Sequence, residues 1–406
     1  MRNGENMENE NAVPKIRRIT IVIPGMNYGG MERVAFIMQD ILLKNNYDVQ
    51  IVTLFTGNPD YKPNFEYISL NCEISNGILG KLVMTIKRVI KMKKYKKKYK
   101  PDIVITFGIN ASFANIFSKC GEKVFVGIRS YDWLYQFTYS YLIDKYIYKK
   151  ADKVISVSKL IKEDAERIFN IKGNKSYYLY NPYDVKLINK KSLEKIDNIN
   201  IPKNKKIIVS VGRLENQKGF YHLIKSISLL NKDIKDNISL IIIGNGTKHD
   251  ALNNLIQKLH LQNCIFLVGG MSNPYKVIKN ADLFVMSSIT EGFPNALVEA
   301  MALGIPVLSS DCKSGPREIL TNDSLTKKTI GLEYGDYGLL VQEMTDSRNY
   351  DSDYIEECDI ILANSISKII YDSDLLVKYG KKAKNRAELF TYERFEKQLL
   401  NIINDN

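Results

Sequence analysis

The sequence predicts an α/β protein with two doubly wound domains, in each of which helices cover a parallel sheet on both faces. Short runs rich in Val and Ile alternate with longer segments of helical spacing, which is typical of parallel strands linked by helices. The alternation stops at a polar stretch, residues 184–205, and then starts again. The length agrees with this division, because 406 residues are too many for one ordinary domain and suit two of about 200 each.

In the first half of the chain, the apolar runs predict buried strands and the segments between them predict helices. The first helix shows the expected spacing, since Val34, Ile37 and Ile41 fall on one face. The predicted strands are 19–23, 49–55, 103–107, 124–128 and 153–157, and the predicted helices are 31–44, 79–99 and 159–169.

In the second half, the same pattern repeats after the polar stretch, which we interpret as a linker. The predicted strands are 207–211, 239–243, 264–268, 282–286 and 306–309, and the predicted helices are 220–231, 248–259, 274–279, 293–303 and 374–404. Ligands bind outside the carboxyl ends of the strands in such sheets. We therefore expect the two domains to face each other across a cleft that holds the site.

The segments also predict the domain boundaries. The first residues are polar, include three acids and have no apolar core, so we expect a disordered tail rather than a secretory signal. No uncharged apolar run is long enough to cross a membrane, and we expect a cytoplasmic protein. The expected parts are a tail at 1–14, an N-terminal domain at 15–188, a C-terminal domain at 189–375 and a C-terminal helix at 376–406.

The formal net charge of +13 is confined to the first half of the chain. Residues 1–190 contain 31 Lys and Arg against 18 Asp and Glu, whereas residues 191–406 contain 27 of each sign. A basic half indicates an acidic partner, which is a membrane surface, a nucleic acid or an anionic substrate.

The cysteine and histidine contents exclude two further classes. Five scattered cysteines do not form the framework of a disulfide scaffold. None of the three histidines is spaced from another His or Cys as a zinc site requires, so we expect no metal and no cofactor.

Two loops that follow predicted strands could bind phosphate. The turn at 24–33 contains Gly29 and Gly30 and opens a helix, so its backbone could approach an anion, although a plain strand-to-helix turn also needs glycine. The loop at 211–219 carries Arg213 and Lys218, which could converge on a diphosphate. The alternative for that pair is two solvated surface cations.

The segment 291–304, EGFPNALVEAMALG, is the most informative motif. Gly292 and Pro294 suit a loop that enters a helix, and Glu299 lies inside that helix among apolar residues. A carboxylate in such a helix needs a partner, and the hydroxyls of a sugar are suitable. The alternative is that Glu299 is an ordinary exposed helix charge.

The segment 81–100 contains ten Lys and Arg and no acid. It predicts a basic amphipathic helix whose apolar stripe docks on the sheet and whose cations contact an anionic membrane. An ordinary surface helix is the alternative, and a nucleic acid is disfavoured because no binding motif accompanies the charge. The predicted membrane contacts are Lys87, Arg88, Lys91, Lys94, Lys97 and Lys98.

Taken together, these motifs resemble those of the retaining, nucleotide-sugar-dependent glycosyltransferases of family 4, which have the GT-B fold of two Rossmann-like domains. The resemblance rests on VGRLENQKG, on the Ile243–Gly246 turn and on the glutamate pair of EGFPNALVEAMALGIPV, and it covers nearly the whole chain. It also implies that the final helix packs back toward the N-terminal domain.

The resemblance implies a role for each motif. Arg213 and Lys218 would neutralise the leaving diphosphate and Glu299 would bind the ribose, so that no metal is needed. As donor-binding residues it implies Gly29 and Gly30 at the phosphates, Gly244 in the strand-to-loop turn, and a sugar-binding loop made of Glu291, which is counted with the catalytic residues, and Gly292, Phe293, Pro294 and Asn295.

One position departs from the family pattern. Many relatives have a histidine after the strand at 124–128, whereas this chain has Arg129. Arginine stays protonated, so we expect Arg129 to bind sugar or phosphate rather than to transfer a proton.

The resemblance implies a retaining hexosyltransferase that moves a sugar from a UDP- or GDP-linked donor to a glycan or lipid-linked acceptor. The product would be a cell-surface polysaccharide such as capsule or lipopolysaccharide, made by an enzyme peripheral on the inner face of the cell membrane. Two alternatives stay open: a nucleotide-sugar epimerase of the same architecture, and an inactive basic membrane-binding scaffold.

Overall fold

A computed structural model of the chain describes residues 17–26, 30–55, 66–73, 77–131, 140–196 and 204–405, so the predicted tail at 1–14 lies outside the described residues. The strands in this part of the chain are β1 (Arg18–Ile23), β2 (Asp48–Thr53), β3 (Tyr67–Ser69), β4 (Ile103–Phe107), β5 (Lys123–Ile128), β6 (Lys153–Ser156), β7 (Ser176–Tyr178), β8 (Lys206–Val211), β9 (Ile238–Ile243), β10 (Ile265–Leu267), β11 (Leu283–Met286), β12 (Val307–Ser310), β13 (Leu332–Tyr334) and β14 (Leu339–Val341).

Helices connect most of these strands, as expected for parallel sheets. The described helices are α1 (Gly30–Lys44), α2 (Ile78–Tyr99), α3 (Ile109–Phe117), α4 (Ser140–Lys150), α5 (Lys159–Phe169), α6 (Val185–Ser192), α7 (Phe220–Ser228), α8 (Lys232–Asn237), α9 (His249–Lys258), α10 (Tyr275–Ile278), α11 (Asn295–Ala302), α12 (Pro316–Leu320), α13 (Glu357–Ile369), α14 (Ser373–Ala387) and α15 (Tyr392–Asn404).

The chain divides into two compact units. The first consists of Met1–Gly127 and Leu142–Val154, and the second of Ile128–Tyr141 and Ile155–Asn406. In the first unit, parallel strands lie in the order β3-β2-β1-β4-β5, with β1 between β2 and β4. Val22, Val52 and Val104 of three neighbouring strands are fully buried and form part of the core.

The second unit contains a seven-stranded sheet in the order β10-β9-β8-β11-β12-β14-β13. Its pairs are parallel except for β13, which runs antiparallel to β14. The strand order reverses between β8 and β11, which is the switch point at which doubly wound sheets bind ligands. The predicted class of two doubly wound α/β sheets is confirmed.

Two predictions about elements are wrong. The stretch 184–205 is not all linker, because the side chain of Asp184 accepts a hydrogen bond from the Leu187 amide and caps α6. The stretch 374–404 forms two helices, α14 and α15, rather than one. The chain leaves the helix between them because the Phe390 carbonyl accepts from the Tyr183 amide, and Tyr183 forms a β-bridge with Thr391.

Helix α2 is held by its C-terminal half. The Tyr95 hydroxyl lies 3.0 Å from Thr20 Oγ1 and 2.9 Å from Gln50 Oε1. The buried Lys96 ammonium donates to Glu122 Oε1 and Asn115 Oδ1, both at 2.6 Å. These contacts fix the C-terminal half of the helix on the first unit.

The N-terminal half of α2 corrects a prediction. Six of the apolar residues in and next to this half face solvent instead of docking on the sheet, and they are 46 to 89% exposed: Ile78, Leu79, Leu82, Val83, Ile86 and Ile90. The inward positions are taken instead by residues such as Arg88, whose guanidinium lies 4.8 Å from the centroid of the Phe55 ring. None of the described helices has the length and hydropathy needed to cross a bilayer.

Candidate active site

The candidate site lies at the switch point of the second unit. The loop that carries Arg213 and Lys218 follows β8, and the loop that carries Glu291 follows β11. Because β8 and β11 are parallel neighbours, these loops leave the sheet at the same edge, side by side. The structure thus brings together two motifs that are more than 70 residues apart in the sequence.

Lys218 and Glu291 form an ion pair at this edge. Lys218 Nζ donates to Glu291 Oε1 at 2.5 Å, and the Ser288 hydroxyl donates to the same oxygen at 2.7 Å. The side chain of Lys218 is 18% exposed and that of Glu291 is 8% exposed, so water screens the pair little. The pair holds one cation and one hydrogen-bond acceptor at a fixed place beside the switch point.

Arg213 differs from Lys218 in its surroundings. It is exposed, and among the described residues no carboxylate forms an ion pair with its guanidinium. The neighbouring turn comes very close to this loop, because a Cβ at Gly244 would overlap the carbonyl oxygen of Gly212. Arg213 can therefore swing toward an anion that lies against the glycine backbone.

The loop after Glu291 packs tightly. The Phe293 ring is 5% exposed and stacks on the Tyr180 ring with centroids 4.9 Å apart. A Cβ at Gly292 would overlap the Arg129 carbonyl oxygen, and the Ser314 hydroxyl donates to the Gly292 carbonyl at 2.8 Å. Packing and hydrogen bonding thus hold the loop in place from both sides.

A buried network below this loop connects it to Arg129. The Asn181 amide group donates to Asn295 Oδ1 at 2.8 Å and accepts from the Arg129 guanidinium. The Tyr183 hydroxyl also donates to Asn295 Oδ1, at 2.7 Å. Burial lowers the pKa of Arg129 to about 10, so the side chain is still charged at neutral pH. Helix α11 begins at Asn295, and Pro294 is its N-cap residue.

Glu299 lies in α11 and is only 6% exposed, which excludes the alternative of an exposed helix charge. The Tyr275 hydroxyl donates to Glu299 Oε1 at 3.2 Å. The two oxygens of a carboxylate offer about four lone-pair sites, so hydroxyl groups such as those of a diol are suitable donors to Glu299.

The buried Cys312 is a further group to consider at the site, because a thiol can act as a nucleophile. Cys312 is buried beside Glu291, and burial first and the negative charge of Glu291 second raise the pKa of its thiol. A thiol kept protonated is a poor nucleophile, so covalent catalysis by Cys312 is disfavoured.

His222, Cys358 and Asp359 are the group of described residues that could hold a metal ion. His222 Nδ1 lies 2.6 Å from Asp359 Oδ1 and Nε2 lies 2.8 Å from the Thr345 carbonyl oxygen. Burial disfavours a charged ring, but the bond to Asp359 outweighs it and the pKa of His222 rises to about 10. A ring that donates from both nitrogens has no lone pair for a metal.

Not all predicted residues lie at this site. Gly29 is outside the described residues, and Gly30 is the exposed first residue of α1 in the first unit. Sequence reasoning missed Asn181, Tyr183, Ser314 and Tyr275. The available signal for Asn181 was its position in a polar turn shortly after the strand β7.

Two family models match the chain. The model described as "Glycosyltransferase Family 4" matches residues 28–187, and the model described as "Glycosyl transferases group 1" matches residues 191–333. The second match spans both loops at the switch point, the Gly244 turn and helix α11.

Two curated relatives are similar in sequence. An uncharacterised glycosyltransferase of Methanocaldococcus jannaschii is 34% identical over 77% of this chain and 82% of its own length. A Campylobacter jejuni protein is 33% identical over 61% of this chain and 60% of its own length. Its name is N-acetylgalactosamine-N,N'-diacetylbacillosaminyl-diphospho-undecaprenol 4-alpha-N-acetylgalactosaminyltransferase.

A solved structure is similar in fold. HepE of Anabaena, crystallised in complex with UDP and glucose, superposes with a TM-score of 0.69 at 16% identity. The superposition covers 96% of this chain and all of the other chain. At this identity the likeness shows the fold alone.

Proposed function

The chain belongs to the family-4 glycosyltransferases of GT-B fold, and we propose that it transfers a sugar from a nucleoside diphosphate to a glycan or lipid-linked acceptor. The observation that carries the proposal is the Lys218–Glu291 pair at the switch point, with Glu299 buried on the helix that follows. This arrangement offers a cation for the diphosphate, and two carboxylates that can accept hydrogen bonds, one from the sugar and one from the ribose, along one edge of the sheet.

The proposed mechanism uses charges that are already in place. As the anomeric bond breaks, negative charge grows on the diphosphate, and Lys218 and Arg213 stabilise that charge. Glu291 and the loop from Gly292 to Asn295 hold the sugar, and Glu299 accepts hydrogen bonds from the ribose. With two cations in these positions, we propose that the reaction needs no divalent ion.

We further propose that the transfer retains the anomeric configuration and that the sugar is a hexose. Neither Cys312 nor Glu291 is suited to act as an enzyme nucleophile, since the Cys312 thiol is kept protonated and Glu291 is paired with Lys218. Front-face attack, with the leaving phosphate taking the proton of the acceptor, fits such a site. Arg129 stays charged and is suited to bind sugar or phosphate.

The relatives guide the choice of substrates. The Campylobacter protein is named for an acceptor linked to diphospho-undecaprenol, which supports a lipid-linked acceptor for this chain. HepE was crystallised with UDP and glucose, which supports UDP as the first donor base to test and GDP as the second.

A membrane-bound acceptor would also explain the many basic residues of helix α2. We propose that α2 binds an anionic membrane surface at the inner face of the cell membrane. Lys87, Lys94, Lys97 and Lys98 are exposed, whereas Arg88 stacks on Phe55 and Lys91 Nζ donates to the carbonyls of Leu70 and Asn71. Because the apolar residues of α2 face outward, we propose that they enter the membrane beside these lysines.

The donor proposal is tested with a panel of UDP- and GDP-sugars and lipid extracts as acceptors. The expected result is transfer to a lipid acceptor with retained configuration, measured by NMR of the product, and full activity in EDTA. Lys218→Ala should lower kcat by about 100-fold or more, because it removes a charge from the transition state.

The matched control is Lys206→Ala, which removes an ion-paired lysine at the start of β8, the end opposite to the loop that carries Lys218. It should leave kcat unchanged. Full activity in Lys218→Ala would contradict the site assignment, and an epimerised donor without acceptor would favour the epimerase alternative.

A further inference from the structure

A cavity of about 230 Å³ lies in the second unit, and neither Lys218 nor Glu291 lines it. We call it the second cavity, to distinguish it from the candidate active site. Its cations are Lys159, Arg386 and Arg394, and aromatic rings such as Tyr180 and Phe390 form part of its wall. Among the described residues that line it there is no carboxylate. The mechanism proposed above makes no use of this cavity.

One of the three cations is held in a fixed orientation. Arg386 Nε donates to the Ile319 carbonyl at 3.0 Å, and Nη2 donates to the Glu318 carbonyl at 2.8 Å. The guanidinium carbon also lies 5.6 Å from the centroid of the Phe390 ring. These bonds use two of its five N–H donors, so a rigid fork with unused donors remains.

The other two cations stand at the mouth of the cavity. Lys159 and Arg394 are exposed, and Lys159 Nζ lies 5.4 Å from the centroid of the Tyr178 ring. In the part of the chain that the structure describes, none of the three cations forms an ion pair. One buried carboxylate, that of Glu318, accepts from the Lys159 amide and the Tyr180 hydroxyl behind the cavity wall. Three cations against this one acid leave an excess of positive charge, which favours an anion in the cavity.

We propose that this cavity binds a phosphorylated small molecule, a phosphate monoester no larger than a hexose phosphate. The fork of Arg386 matches phosphate oxygens, and Lys159 and Arg394 supply the remaining charge. The volume is below that of ordinary cofactor pockets, which suits a small ligand whose organic part lies against the aromatic rings.

Two wall residues connect this cavity to the candidate active site. Asn181 lines the cavity and donates to Asn295, at the end of the loop from Gly292 to Asn295, which we call the donor loop. The Tyr180 ring stacks on Phe293 in the same loop. If the proposed function holds, a bound phosphate ester therefore changes the KM for the donor. The binding itself does not depend on that function.

The test is calorimetric titration of the full chain with inorganic phosphate and with glucose 1-phosphate, each in the presence of saturating UDP. UDP fills the donor site, so the titration reports the second cavity. We expect saturable binding that weakens about tenfold in Arg394→Gln and in Lys159→Gln, because each loses a charged hydrogen-bond donor.

The matched controls are Lys397→Gln, which removes an exposed charge three residues further along α15, and Arg213→Ala. Neither should change the affinity. No saturable binding to the wild-type chain, or a loss that follows Arg213→Ala instead of Arg394→Gln, overturns the proposal. If UDP does not bind at all, the donor assignment fails, while the response to Arg394→Gln still decides the question of the second cavity.

Discussion

Asn181 joins side chains that the sequence analysis placed at the donor site without any connection. Its amide group accepts from Arg129, 52 residues before it, and donates to Asn295, 114 residues after it. Both partners are half-buried polar groups, and Asn181 satisfies one hydrogen bond of each. We therefore expect Asn181 to act as a positioning residue, through Arg129 and the loop from Gly292 to Asn295.

Replacing this residue should raise the KM for the donor. In Asn181→Ala, Arg129 and Asn295 each lose a partner, which costs about 1 to 3 kcal/mol and corresponds to roughly a 10- to 100-fold increase in that KM. Steady-state kinetics with varied donor and varied acceptor measures the effect, and the KM for the acceptor should stay constant.

The control for this change is Asn189→Ala, which also removes a half-buried asparagine, one that donates to the backbone carbonyls of Val185 and Ala302. Equal increases in the two KM values of Asn181→Ala, or a melting temperature that alone explains the loss of activity, would show a merely structural role.

For single residues, the sequence predicted the charged side chains of the site better than the polar side chains that contact them. Glu291 and Lys218 could be found because each lies in a loop that follows a predicted strand, and Glu299 because it is an acid inside an otherwise apolar helix. Asn181 and Ser314 could not, because their significance comes from partners distant in sequence, and a single polar residue in a turn is common.

Among the elements, the strands were the most predictable part. Each run of Val and Ile that predicted a strand became one, because full burial on both faces allows little else. Short polar helices such as α6 and α8 escaped prediction, since they are too short for a clear apolar period. The break between α14 and α15 could not be predicted, because the Tyr183 amide that bonds to Phe390 there is distant in sequence. Nothing in the residues 374–404 themselves indicates it.

Helices α7 and α13 are joined by the buried His222–Asp359 pair, which makes the stability of the second unit depend on pH. The pKa of His222 is raised in the folded state to about 10. A raised pKa gives stabilisation that is complete below the unfolded value of about 6.5 and is lost as pH rises toward 10.

In His222→Gln, we expect the free energy of unfolding at pH 6 to fall by about 3 to 5 kcal/mol, because Asp359 keeps a buried charge without its partner. The difference from the wild-type chain should shrink steadily between pH 7 and pH 10. Urea unfolding at several pH values measures it, with the exposed His249→Gln as control. A difference that stays constant or grows with pH would disprove the account.

For the whole molecule, the charge is divided as the proposed chemistry requires. The second half of the chain is neutral overall and carries Arg213 and Lys218, whereas the excess of +13 lies in the first 190 residues. A local donor site needs only a few well-placed cations, but attraction to an anionic membrane grows with the number of cations near the surface. On such a membrane, the exposed apolar residues of α2 would add an apolar contact to that attraction.

We expect the chain to bind vesicles that contain anionic lipid, with an affinity that falls as salt rises. The double change Leu82→Gln and Ile86→Gln should weaken binding about tenfold or more at any salt concentration, because it removes apolar area from the membrane contact. The double change Lys94→Gln and Lys97→Gln should weaken it mainly at low salt. Vesicle co-sedimentation measures both.

The matched control is Ile330→Gln, which replaces an aliphatic side chain that is 92% exposed in the second unit. It should leave vesicle binding unchanged. Equal binding to neutral vesicles would contradict the electrostatic attraction, and full binding by the Leu82 and Ile86 variant would contradict the apolar contact. Both results together would overturn the proposed role of α2.

The close backbone approach at Gly244 and Gly292 also limits how this protein can diversify. A Cβ at either position would overlap a carbonyl oxygen, so no other amino acid fits there without moving a strand or loop. In a mutagenised population, variants with a new donor preference should therefore arise at neighbouring side chains and not at these glycines. The same two contacts that make the site rigid confine its evolution to the residues around it.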